Sequence, residues 1–303
     1  METINAINFG PFAGKGMFAG EAARESLRLM RERTGASHVI FTPSGLMRTP
    51  HSEQIIRNSE KTMPDAELID FIRCAQALGL KVILKPTLNC LDGTWRAYIN
   101  FFDREVPPEP KWSRWFASHL AFHRHYAGLA GDTGCVMYIA GCEMVMAERK
   151  SEHWRELLAL CRAVSGLPVS YNTDKYQEDQ VDWWDAADVI SSSGYYPSGD
   201  WDRQLDRIEA VVQRFGKPFF FAEIGCMSAS GSAAAPNDWS LDGRVNMREQ
   251  ADWYREMFAR TKARGWCGGY GLWSWQADLA NPDERGYSLY GKPAEAIVQG
   301  NFW

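Results

Sequence analysis

The chain has 303 residues, 45% of them hydrophobic and 23% charged, with a formal net charge of −5. That length admits one α/β barrel of about 250 residues with insertions, or two smaller domains. Basic and acidic residues are interspersed, with no Lys/Arg cluster to grip a phosphate backbone, which argues against a nucleic-acid partner.

Seven cysteines are scattered without a CxxC pair, which argues against a disulfide framework and a structural zinc site. No apolar run approaches the ~18 residues of a membrane span. The opening METINAINFG has neither the basic nor the apolar region of a signal peptide. The expectation is a cytoplasmic chain or a mature secreted form.

Strand and helix alternate along the chain. Residues 3–10 read as strand 1, followed by a Gly-rich loop and an amphipathic helix over 21–34. Residues 38–44 form strand 2, and 45–63 a long polar loop. A helix with Pro at its start covers 64–80. Residues 81–89 are strand 3, and a loop carrying Trp95 and Arg96 runs to Pro110. A Trp- and His-rich helix spans 111–130, strand 4 covers 136–144, and a helix over 152–165 ends at Gly166. Strand 5 is 167–173. A short helix around 181–187 precedes strand 6 at 188–197, and the helix 201–215 stops at Gly216. Strand 7 lies in KPFFFAEIGCMS, residues 217–228. A helix over 246–264 leads to strand 8 at 266–276, and a last helix starts at Pro293.

Eight strand–helix units in order, with no composition break or linker, imply a parallel sheet closed into a single (β/α)8 TIM barrel over 1–303. An open doubly wound sheet would need fewer units or a domain boundary.

Several motifs carry less than they first suggest. Gly14-x-Gly16-x-x-x-Gly20 lacks dinucleotide-loop spacing, and strand 2 does not end in an acid for a ribose, so it reads as a flexible loop. His119, His123 and His125 read as half-exposed helix residues, and HExxH is absent. No G-x-S-x-G supports a serine hydrolase. Trp95, Trp183, Trp184, Trp239, Trp273 and Trp275 lie in or beside loops, as core filler or as platforms for sugar rings.

Glu143 and Glu223 differ from these. Each ends a short apolar strand, IAGCE and FFFAE, where burial of a carboxylate is costly without a partner. Parallel strands open both ends on the same face, across the barrel interior from one another. Paired carboxylates over a pocket equip a protein for glycoside hydrolysis. One protonates the leaving oxygen, and the other attacks the anomeric carbon or activates water. Neighbouring strand ends offer Lys85, Asn89, Asn172, Tyr195 and Tyr196, which suit sugar hydroxyls better than a metal. No metal or cofactor is called for. Lys85, Asn89, Trp95 and Arg96 are candidates for the far end of a sugar cleft, and Arg96 equally for an ion pair. Trp239 sits in a long loop after strand 7 that reads as a lid or as a surface excursion.

KPTLN with TWRAYI, GCEM, HWRELL, WWDAADVISSSGYYP, KPFFFAEIGCMSASGSAAAP, GLWSWQ and GKPAEAI together resemble the mannanases of glycoside hydrolase family 113, in the clan of (β/α)8 retaining glycosidases. The resemblance implies endo-acting, retaining hydrolysis of β-1,4-mannan or manno-oligosaccharides, with Glu143 as acid/base and Glu223 as nucleophile. It further implies that Tyr195 or Tyr196 bonds the nucleophile and that Trp273 or Trp275 floors the cleavage subsite. Where many clan members have Asn before the acid/base, this chain has Cys142, so Asn172 or Asn89 is expected to bond the sugar 2-hydroxyl. Retention predicts carboxyls about 5–5.5 Å apart. Related retaining glycosidases on other β-glycans, exo-mannosidase action and a non-catalytic sugar-binding barrel are the alternatives.

Overall fold

A computed structural model describes residues 2–280 and 283–303. Eight parallel strands close into a barrel: β1 (Ile4–Phe9), β2 (His38–Phe41), β4 (Lys81–Leu84), β6 (Met137–Cys142), β7 (Val169–Thr173), β8 (Val189–Ser193), β9 (Phe219–Ile224) and β10 (Cys267–Trp275). The last strand pairs with the first, Ile4 opposite Gly269, and no edge is left unpaired in the barrel sheet.

Helices α1 (Glu21–Thr34), α2 (Asp65–Ala77), α3 (Trp112–Asp132), α4 (Ser151–Ser165), α5 (Trp201–Phe215), α6 (Met247–Lys262) and α7 (Pro293–Phe302) surround it. Gly166 and Gly216 cap α4 and α5 in the left-handed conformation, as their positions in the sequence predict. The segment around 181–187 forms a single 3-10 turn, Trp184–Ala186, instead of a helix.

Strand period explains the two cores. Ile4, Ala6, Ile40, Ile83, Ile139, Phe220 and Ala222 pack inside the barrel. Their alternates Ile7, Val39, Val82, Tyr138, Phe219 and Phe221 pack outward against the helices. Burial on both faces makes these strands near-continuous apolar runs.

Strands 2 and 3 of the sequence reading each divide at a proline. Pro43 separates β2 from β3 (Ser44–Met47), and Pro86 separates β4 from β5 (Thr87–Cys90). Proline has no N–H to donate, so the ladder cannot continue through it. β3 and β5 leave the barrel together as a two-stranded parallel extension, Ser44 opposite Thr87. The region assigned to a polar loop after residue 44 therefore begins as a strand. Lys85 lies at the break in the second strand, next to the barrel mouth.

His119 and His123 correct the reading of half-exposed residues. Both are fully buried. Their Nε2 atoms are 2.9 Å apart, and His123 Nδ1 lies 2.7 Å from the Tyr138 hydroxyl. Burial lowers the pKa of both, that of His123 to about 3, so each is neutral. They fill the interface of α3 with the barrel.

Candidate active site

Glu143 follows β6 directly. A register shift between β6 and β7, at Gly141 with φ +113, turns the chain at this point. A Cβ on Gly141 would stand 3.0 Å from Met144 Cε and 3.2 Å from the Tyr171 ring in a conformation L-residues avoid. Glu143 itself has φ +52, a costly conformation for a non-glycine residue. Its N–H donates to the Asn172 carbonyl at 2.8 Å. The next N–H, of Met144, donates to the Tyr171 hydroxyl at 2.9 Å, which in turn donates to Glu148 Oε1 at 2.8 Å. The buried Glu148 carboxyl is pushed up to about 7 by desolvation.

A second register shift places Glu223. The pairing of β8 with β9 steps from Ser192–Phe221 to Ser193–Glu223. Ala222 faces the barrel interior and Ile224 packs outside, so the irregularity lets Glu223 join the mouth without breaking either core. Around the ring β7 and β8 lie between β6 and β9. The two glutamates are thus three strands apart, not diametrically opposed, and the intervening strands reach both.

The donor atoms of Cys142, Glu143 and Glu223 lie within 4.8 Å of one another. The carboxylates are surrounded differently. Glu143 Oε1 accepts from Ser193 Oγ at 2.7 Å and Oε2 from the Trp95 indole N–H at 3.3 Å, with Arg96 Nη2 3.6 Å away. Glu223 Oε1 accepts from the buried Lys85 ammonium and, at 3.2 Å, from the Cys142 thiol. Its Oε2 accepts from Tyr195 at 3.0 Å.

These surroundings shift the two pKa values in opposite directions. Burial, then the nearby Glu223 charge, raise the Glu143 pKa above the usual carboxylate value, and Arg96 and Ser193 offset only part of this. Burial pushes Glu223 up as well, but Lys85 and Arg96 outweigh it and its pKa falls below the usual value. Cys142 stays a neutral thiol because burial and the Glu223 charge push its pKa well up. The Lys85 ammonium holds the same Glu223 oxygen as the thiol, so the cation beside this cluster is supplied by the protein itself.

Both carboxylates open into a cavity of about 540 Å³ lined by Trp95, Arg96, Asn89, Tyr195, Trp239 and Trp273, together with Phe12 and Asn237. Of the paired candidates, Tyr195 reaches Glu223, whereas Tyr196 is fully buried behind the barrel and donates to Glu178. Trp273 lines the cavity with Lys85 Nζ 5.6 Å from its ring centre, whereas Trp275 is fully buried and donates to Ser26 Oγ at 3.1 Å. Trp183 and Trp184 are core residues, Trp183 stacked on Trp154 at 5.1 Å.

Asn172 does not line the cavity. It lies beneath, donating to Ser193 Oγ at 2.9 Å, and so orients the hydroxyl that binds Glu143. Asn89 lines the cavity and accepts from Arg96 Nη1 at 3.3 Å. Trp239 stands at the cavity rim, 67% exposed, near Phe12 and Tyr287. Sequence reasoning missed Ser193, a serine in a run of three. Only the register shift distinguishes it from Ser191 and Ser192. It also missed Phe12, which carries no chemical signal in sequence.

A closed barrel with two unlike carboxylates, one raised and one lowered in pKa, over an aromatic cavity is a glycoside hydrolase scaffold. The model of Glycoside Hydrolase Family 113 matches residues 7–292, and the chain belongs to that family. Two solved structures described as GH113 β-1,4-mannanase, one as a complex, share 53% and 52% identity with TM-scores of 0.98 and 0.97. Each match covers 100% of this chain and 99% of the other. The GH113 β-mannanase AaManA from Alicyclobacillus acidocaldarius, in complex with ManMIm, shares 39% identity at a TM-score of 0.94, covering 100% of this chain and 97% of that one. No curated protein matches the chain. The substrate is a glycan.

Proposed function

We propose that residues 1–303 act as one catalytic unit, a retaining endo-β-1,4-mannanase, with Glu143 as acid/base and Glu223 as nucleophile. The observation that carries this reading is a pair of carboxyls with one oxygen of each within 4.8 Å of the other, one raised and one lowered in pKa. Inverting enzymes need about 6.5–9.5 Å, room for a water between the carboxyls, and retaining ones about 5–5.5 Å.

In the first step ionised Glu223 attacks the anomeric carbon and forms a glycosyl ester. The C–O bond to the leaving sugar breaks, and Glu143 gives that oxygen its proton. Glu143, now ionised, then takes a proton from water. The water oxygen attacks the anomeric carbon, and Glu223 leaves as carboxylate. Lys85 and Tyr195 hold Glu223 ionised and aimed, and Trp273 gives the reacting sugar an apolar face. Two displacements return the original anomeric configuration.

The endo mode is supported by the cavity's shape. It continues past Phe12, Trp239 and Trp273 into a hollow of about 560 Å³ on one side. On the other it continues past Thr94. A chain can therefore cross the site. Digestion of mannohexaose beside xylan and cellulose oligomers, followed by NMR of the nascent anomer, tests the reading. It predicts internal cleavage of the mannan oligomer with β-anomer appearing first. Faster cleavage of another glycan, release of single mannose units alone, or α-anomer first would overturn it.

A further inference from the structure

Strand β7 grips the segment around Glu143 from both of its faces. On one face Asn172 donates to Ser193 Oγ, which donates to Glu143 Oε1. On the other, Tyr171 packs among the helices, its ring 4.6 Å from that of Trp154 and 5.1 Å from that of Trp183. Thr173, two residues on, shares the Tyr171 face. Both hydroxyls donate to the same oxygen, Glu148 Oε1, at 2.8 Å from Tyr171 and 2.7 Å from Thr173. The Tyr171 hydroxyl also accepts the Met144 N–H at 2.9 Å. A phenol has one proton to give. Glu148 takes it, and this leaves a lone pair of Tyr171 turned toward Met144.

The turn between Glu143 and Glu148 is closed on itself. The Met144 carbonyl accepts from the Ala147 N–H at 2.8 Å and from the Glu148 N–H at 3.1 Å. The Ala147 carbonyl accepts the Trp154 indole N–H at 2.9 Å, and the Glu148 carbonyl that of Trp183 at 2.8 Å. Met144, Glu148, Tyr171 and Thr173 lie outside the lining of the catalytic cavity, so they hold the chain and not a sugar.

Glu143 needs holding. Its φ of +52 is a conformation that persists only where the surroundings over-determine it. Its carboxyl must meet the same oxygen position twice, first as acid and then as base. A displacement of about 1 Å at such a group costs about 100-fold in rate.

We infer that Tyr171 and Glu148 are positioning residues for the acid/base. Glu148 turns the Tyr171 hydroxyl to accept the Met144 N–H, and this brace fixes the angle from which Glu143 reaches the glycosidic oxygen. The inference rests on the acid/base role proposed for Glu143. The test compares kcat/KM on mannohexaose, whose leaving sugar needs a proton, with kcat/KM on 2,4-dinitrophenyl β-mannobioside, whose leaving group needs none. Tyr171→Phe keeps the ring and removes the acceptor. It is expected to lower the hexaose-to-aryl ratio about 10–100-fold. Azide should raise kcat of this variant on the aryl substrate, because azide displaces Glu223 from the glycosyl ester without a base and gives β-mannobiosyl azide. Glu148→Ala should act in the same direction, and Glu148→Gln, which can still accept from Tyr171, should recover the ratio. Losses from poor folding fall equally on both substrates and leave the ratio alone. An unchanged ratio in Tyr171→Phe and Glu148→Ala would overturn the brace while leaving the role of Glu143 in place. Glu143→Ala is the reference: if it does not separate the two substrates, the acid/base reading falls, and the brace with it.

Discussion

Glu143 and Glu223 are the same chemical group, both buried and both at the carboxyl ends of barrel strands, yet their surroundings divide the labour between them. Glu223 has a buried ammonium on one oxygen and a phenol on the other. Glu143 has a serine hydroxyl and an indole, with Arg96 farther off at 3.6 Å. A full charge in direct contact lowers a carboxylate pKa more than neutral donors do. Burial raises both, so contact with Lys85 decides which one is ionised. The charge of the groups touching each carboxylate, not its depth, fixes its chemistry.

Removing the ionised member breaks the comparison outright. Glu223→Gln is expected to lower kcat about 10,000-fold or more, since no other group can form the glycosyl ester. Its dissociation constant for mannohexaose, measured by calorimetry, should stay within about tenfold of wild type. Normal turnover in this variant would place the nucleophile elsewhere.

Removing the cation should make the two sites more alike. Lys85→Met is expected to lower kcat/KM about 100–1,000-fold, the scale of losing one preorganised electrostatic contact. The pH profile gives the sign. Lys85 lowers the Glu223 pKa, so without it that pKa rises and the ionised form is lost at higher pH. The acid limb of kcat/KM should therefore move up. An acid limb that stays in place would assign it to another group.

Tyr195→Phe removes one donor to the charged oxygen and leaves the ring. The expected loss in kcat is about 10–100-fold, the range for a hydrogen bond to an ionised group. A loss confined to KM would mean that Tyr195 serves binding alone.

The smallest effect falls on the protonated side. Ser193→Ala removes a hydrogen bond that lowers the Glu143 pKa. The pKa should rise, the proton should be held to higher pH, and the alkaline limb should move up with less than about tenfold change in kcat. A downward move would contradict the assigned role of Ser193.

Much of this arrangement was legible in the sequence. Alternating strands and helices gave a barrel, and two short apolar strands ending in Glu gave the carboxylate pair, because a fully buried parallel strand leaves a plain run and a misplaced acid is conspicuous in it. What escaped depended on register. Ser191, Ser192 and Ser193 are indistinguishable in a row. Ser191 Oγ bonds the Tyr171 carbonyl, Ser192 reaches Glu178, and Ser193 alone reaches Glu143. Tyr195 and Tyr196 divide because one position along an extended chain exchanges mouth for helix layer, whereas Trp273 and Trp275, two apart, divide because the pairing of β1 with β10 shifts register there, from Asn8–Trp273 to Phe9–Trp275. The burial of His119 and His123 escaped because nothing in a Trp- and His-rich helix signals that two imidazoles will face each other inside it.

The most direct test of the central claim is covalent trapping. An activated 2-deoxy-2-fluoro-β-mannoside slows both displacements and the second more than the first, so a glycosyl ester should accumulate and be found by mass spectrometry of the digested protein. The account predicts one label, on Glu223, in the peptide carrying FFFAEIGC. A label on Glu143, or steady turnover of the reagent with no ester on either glutamate, would contradict it.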